Sequence, residues 1–140
     1  MKKCLALILM FFSTLASADG LKNEKEVLDF SDKMMGLIYK EKFQEAFDLA
    51  KPYWPIPVIE IEGVVNKINQ QWPVVQSRFG EAISTEFVKK ESIGKSFIRY
   101  YYLHKFQNHA IYWRMDFYKP KKEWKINTVV FLDSLDALYE

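Results

Sequence analysis

The chain has 140 residues, 49% of them hydrophobic and 27% charged, with 20 basic against 18 acidic side chains. That length suits one domain with a real core. A balance so near neutrality argues against nonspecific nucleic-acid binding, which lives on neutralised phosphates, and a single cysteine excludes a disulfide framework.

The chain opens MKKCLALILMFFSTLASADG. Two lysines, an apolar run from Leu5 to Leu15, and the small residues Ala16 and Ala18 ahead of Asp19 compose a secretory signal peptide, with cleavage expected after Ala18. Residues 1–18 are then a leader and 19–140 a single domain. The apolar run is shorter than the roughly 20 residues of a spanning helix, and no later run approaches that length, so the mature chain is expected to have no membrane span. Cys4 precedes the apolar run and leaves with the leader, so the mature chain has no thiol nucleophile and no thiolate ligand. Lys2 and Lys3 leave too, which sets 18 basic residues against 18 acidic ones. No Asn-x-Ser/Thr acceptor occurs. Export without cysteines or acceptors fits a bacterial periplasm, with secretion as the other destination.

From Val27 the apolar positions Val27, Phe30, Met34, Leu37 and Ile38 keep the spacing of one helical face. The pattern restarts at Phe43, Ala46, Phe47 and Ala50, a short second helix that Pro52, Pro55 and Pro57 stop. A third helix is expected from about Val58, with Ile61, Val64, Val65, Ile68 and Trp72 on one face, and Pro73 is expected to end or kink it. Past Gly80 the period changes to two and β-branched and aromatic residues dominate. Four strands are expected at about 82–92, 96–106, 109–118 and 124–132, joined by short connections into an antiparallel meander. The fold class is therefore α+β, with three N-terminal helices packed on one face of a four-stranded antiparallel meander sheet.

A two-residue turn at Gln107-Asn108 pairs His104 with Ile111, Tyr102 with Trp113, Tyr100 with Met115 and Ile98 with Phe117, a row of bulky residues facing the helices. The other face then carries Leu103 with Tyr112, Tyr101 with Arg114 and Arg99 with Asp116. Looping Lys119 to Lys122 sets Phe117 against Trp124, Met115 against Ile126, Trp113 against Thr128 and Ile111 against Val130, which leaves Val129 and Phe131 on the outer face. A Gly94-Lys95 turn brings Phe87 to Tyr102 and Ile83 to Phe106, and points Lys89 and Glu91 inward.

YKEKFQEAFDLAKPYW, residues 39–54, and FYKPKKEWKINTVVFLDSLDAL, residues 117–138, resemble the short second helix and the closing hairpin of the nuclear transport factor 2-like superfamily. That cone-shaped α+β fold includes ketosteroid isomerase and scytalone dehydratase. The resemblance covers nearly all of the mature chain and extends to small exported bacterial members without an assigned activity. Two features depart from the pattern: proline-broken KPYWPIP stands where the superfamily often inserts a strand, and Lys122-Glu123 precede Trp124 where a glycine is common. The resemblance implies a helix-sheet cone, enzymes that place an Asp, His or Tyr inside it to move protons, and members that dimerise sheet against sheet.

The inward residues Tyr100, Tyr102, His104, Trp113 and Met115, with Trp54, are the candidate ligand-binding set, and Tyr53 and Trp54 either stand at the pocket mouth or plug it. No residue is committed as catalytic. The alternative reading takes His104 with Tyr100 or Tyr102 as a proton-transfer pair of a lyase or isomerase, but a working histidine needs an orienting partner and the only inward carboxylate in this register is Glu91, several pairs away. Two histidines without metal-ligand spacing make no metal site, and glycines scattered singly make no phosphate loop, so no cofactor is expected. FIRYYYLHKF, residues 97–106, lacks the glycines of the RNA-binding strand signature, which sets nucleic acid aside. The outer face offers Arg99, Tyr101, Leu103, Tyr112, Arg114, Asp116, Val129 and Phe131 as a homodimer interface, or as an ordinary face covered by Leu135 to Leu138. The residues together favour a non-enzymatic binding module for a small apolar ligand or a periplasmic protein partner.

Overall fold

The computed structural model describes residues 19–140, and the expected leader lies outside the described residues. Helix α1 is Glu24–Tyr39. Its start is fixed by Asn23, whose side chain accepts from the Glu26 backbone N–H at 2.9 Å, while the Glu26 carboxylate accepts from the Lys22 N–H at 2.7 Å. Val27, Phe30, Met34 and Ile38 form its buried stripe. An elbow at Lys40 to Lys42, with Glu41 in the left-handed region at φ 60°, leads into α2, Phe43–Ala50. A 3-10 turn, Lys51–Tyr53, and the proline-rich connection precede α3, Val58–Phe79.

Pro73 does not end α3: the helix runs through it for 22 residues. The proline is exposed, so the carbonyl one turn back that loses its amide partner is on the solvent side. Beyond it Val75 and Phe79 carry the apolar stripe onward, and burying them holds the last turns helical. Gly80 then stops the helix at φ 83°, and the Asn108 N–H donates to the Phe79 carbonyl at 2.9 Å, tying α3 to the turn between the two central strands.

The sheet is β1 (Ala82–Ile93), β2 (Phe97–Phe106), β3 (Ala110–Tyr118) and β4 (Lys125–Leu132), antiparallel in the order β1-β2-β3-β4. The helices precede the strands and share one core with the inner sheet face. Between β2 and β3 the register is the one expected: His104 faces Ile111, Tyr102 faces Trp113, Tyr100 faces Met115 and Arg99 faces Asp116.

The two outer pairings differ from expectation: each carries a bulge, and β4 is in addition shifted by two residues, so that Phe117 meets Ile126 rather than Trp124. Phe117 pairs with Ile126, but Asp116 pairs with Thr128, so Asn127 is an extra residue and every side chain after it changes face. Val129 now faces inward opposite Met115, and Phe131 opposite Trp113, whose ring it stacks at 4.8 Å. Packing explains the correction: the bulge exchanges Thr128 for Phe131 beside a buried tryptophan. In β1 an irregularity between Phe87 and Lys89 pairs Lys89 with Tyr101 and Glu91 with Arg99, which moves both charged residues to the outer face. Their chains thereby avoid a desolvation that the expected register imposed.

Candidate functional site

The inward set is packed core. Tyr100, Tyr102, His104, Trp113, Met115 and Trp54 are all buried. Tyr102 donates to the Asp32 carboxylate of α1 at 2.7 Å, and burial first, with that carboxylate second, pushes its hydroxyl well above the usual phenol range. Burial raises Tyr100 likewise. Phe87 meets both tyrosines edge-on at 5.7 and 5.4 Å. Trp54 packs on Phe47 and Tyr53 on Phe30, so the proline-rich connection closes over this end of the helix–sheet core.

His104 has no accessible surface. Its ring lies between Trp72, stacked at 5.7 Å, and Phe106 at 4.4 Å, with Tyr39 edge-on at 6.2 Å. Neither ring nitrogen has a hydrogen-bond partner. Burial pulls its pKa down to about 4, against a smaller opposing pull from the Glu41 carboxylate. Glu41 is otherwise engaged: its Oε1 accepts from Trp72 Nε1 and from Gln76 Nε2, each at 2.8 Å. Sequence reasoning missed Asp32 and Glu41, because both lie on exposed helical or elbow positions and reach inward only through long-range contacts. Geometrically, His104 is a neutral aromatic filler with no carboxylate to orient it.

On the outer face, Arg99 grips Asp116 through two bonds, Nε to Oδ1 at 2.8 Å and Nη2 to Oδ2 at 2.9 Å, and Arg114 Nε lies 3.3 Å from Oδ1. The bond to Asp116 holds the Arg99 guanidinium above its ordinary range. Tyr101 and Tyr112 are only 4% and 3% exposed, although the α-helices share their core with the other sheet face. The segment after β4 supplies the cover. His109 Nε2 donates to the Asp133 carbonyl at 2.9 Å, and Lys89 Nζ, which sits 4.9 Å from the centre of the Tyr101 ring, donates to the backbone oxygens of Ala137 and Glu140 at 3.3 and 3.1 Å. Residues 133–140 thus strap the outer face from the start of β3 across to β1. Leu103 stays half-buried there, while Val129 and Phe131 have left this face altogether.

A concavity lies elsewhere, between α3 and β4. It measures about 650 Å³, a volume in the range of ligand clefts. Helix α3 contributes Val64, Lys67, Gln71, Val74, Val75 and Arg78, spaced as one helical face. The sheet contributes Ile111 and the consecutive residues Val129, Val130, Phe131 and Leu132, and Asp133 follows directly after β4. Its walls are mainly apolar, with Lys67 and Arg78 on the helical rim and Asp133 at one end. Of the inward set, none lines it. Two signals in the sequence point to it: Val74-Val75 beyond Pro73, and the unalternating run Val129 to Leu132 in a strand that otherwise alternates.

Among the described residues no cluster of His, Cys, Asp and Glu forms a metal site, and no helix is long and apolar enough to cross a membrane. No family model matches the chain, and neither a curated protein nor a solved structure matches it.

Proposed function

We propose that the chain is an exported domain of the nuclear transport factor 2-like kind, acting as a non-enzymatic binding module whose binding surface is the cleft between α3 and β4. Support for the superfamily is the element order, the short α2 and the closing β3–β4 hairpin. Export to the periplasm rests on the leader-like start of the sequence. The observation that carries the binding reading is the contrast between a cone interior filled by Tyr100, Tyr102, His104, Trp113 and Met115 and an apolar cleft of about 650 Å³ left open beside it.

The lyase or isomerase alternative asks His104 to exchange protons with a substrate. A fully buried imidazole without a hydrogen-bond partner has neither access nor an orienting carboxylate. A homodimer through the outer face asks Tyr101 and Tyr112 to meet a second copy while the 133–140 strap lies over them. The cleft is the better surface on both counts.

The test is the native mass of protein purified without denaturation, joined to titration with an apolar fluorescent dye. Val74 is 57% exposed on the cleft wall, so Val74→Lys leaves the core intact. Copurified mass or dye binding that falls several-fold in Val74→Lys is the expected result. Dye binding indifferent to that substitution, with no copurified mass, removes the cleft as the binding surface.

A further inference from the structure

We infer that the occupant of the cleft is an extended peptide segment that adds to the sheet as a strand beside β4, antiparallel to it. The inference rests on the cleft being the binding surface and names what it binds. Its first support is the lining itself. A cavity against one face of a strand touches every second residue, because side chains alternate. This cleft touches Val129, Val130, Phe131, Leu132 and Asp133 in unbroken succession, so it runs along the strand's edge, where the backbone is accessible.

That edge is free. β4 pairs with β3 on one side and ends the sheet on the other, leaving alternate N–H and C=O groups turned outward. The two sheet edges are treated differently. β1 carries Glu86, Lys89, Lys90 and Glu91 and two register irregularities, the features that deter strand addition. From Val129 to Leu132 the edge of β4 has no charge, no proline and no irregularity.

The chain already uses this edge once. Trp124, just before β4, exchanges both backbone bonds with Leu21, at 2.8 and 2.7 Å, as an antiparallel bridge. Its neighbour Lys125 pairs with Tyr118 of β3. Since successive residues turn their backbone groups to opposite sides, Leu21 occupies the side away from β3. An added strand therefore continues, farther along, an edge that is sealed at its start.

Helix α3 flanks the edge as the second wall, the arrangement in which backbone bonds supply affinity and alternate side chains enter a groove. The four lining residues of β4, Val129 to Leu132, extend about 10 Å, enough to pair a segment of similar length. Among the described residues Lys67 and Arg78 have no ion-pair partner. The fitting segment is thus extended, apolar at the alternate positions that face Val75 and Phe131, and acidic at a flank.

Selection of short random peptides on the purified protein tests this. Alternating apolar positions with a flanking acid are the expected enrichment, and Arg78→Glu is expected to weaken the selected peptides several-fold. N-methylation of alternate backbone amides separates strand addition from mere apolar contact. On the set that faces β4 it should cost roughly tenfold for two bonds lost, and on the other set little. Equal effects of the two sets, or no enriched peptide, overturn strand addition even where the apolar dye still finds the cleft. A concentration-dependent dimer abolished by Val74→Lys makes a second copy the occupant and overturns the partner reading. So does a synthetic peptide of residues 5–15 that outcompetes every selected sequence.

Discussion

His104 sits without accessible surface between Trp72 and Phe106, so its protonation is a folding event rather than a surface titration. Burial lowers its pKa from 6.5 to about 4 in the folded chain. Between those values the unfolded chain binds a proton that the folded chain refuses, so stability rises with pH across this window and falls as the solution is acidified through it. At about 1.4 kcal/mol per unit, the ceiling for this one residue is of the order of 3 kcal/mol. Denaturant titrations of wild type and His104→Phe from pH 7 to pH 4 should diverge, with the variant losing less stability on acidification. Parallel losses would show that other groups set the acid response. The Asp116 carboxylate, gripped by Arg99 and approached by Arg114, is the residue-scale counterpart on the other face, a buried acid with both oxygens engaged by direct partners.

Among the elements, α3 shows how position overrides composition. Pro73 predicts a break, yet the ring faces solvent and the half-buried Val75 and buried Phe79 extend the helix past it. Its true end is Gly80, at φ 83°, where an added Cβ would come 2.6 Å from Gln107 Oε1. Gly80→Ala is expected to cost about 1–3 kcal/mol, from backbone strain together with that contact, measured as a lowered denaturation midpoint at unchanged slope. A neutral outcome would mean the turn at Gln107 gives way freely.

The strands show where one sequence is legible and where it is not. The β2–β3 register follows from bulky residues on one face and the Arg99–Asp116 match on the other, and it holds along the whole pair. The bulge at Asn127 cannot be read that way. Both registers of β4 offer apolar residues to either face, because Val129, Val130, Phe131 and Leu132 form an unbroken run. Only the stack of Phe131 on Trp113 decides between them, and that is a tertiary contact. The cleft escaped the same way, since it needs both the continued α3 and the turned β4. Deleting Asn127 tests the account: it returns Val129 and Phe131 to the outer face, and the variant is expected to lose cooperative unfolding. Retained stability would show that the bulge is dispensable.

At the scale of the molecule, a three-helix layer and a four-strand layer share one apolar core, and an open cleft lies at their border. The layout is α+β with local connections throughout, helices first and hairpins after. One backbone pairing spans far more of the chain than the hairpins do. Leu21 and Trp124 pair across 103 intervening steps of chain, whereas each hairpin closes within a short turn. Such a contact must bear the entropy of closing nearly the whole domain into a loop, so it is formed after the hairpins have already brought Trp124 into place. Leu21→Ala should therefore speed unfolding while leaving the folding rate nearly unchanged in stopped-flow kinetics. The pair is a latch closed last and opened first, and the time the sheet edge spends unsealed is governed by the opening of that latch rather than by the global unfolding of the domain.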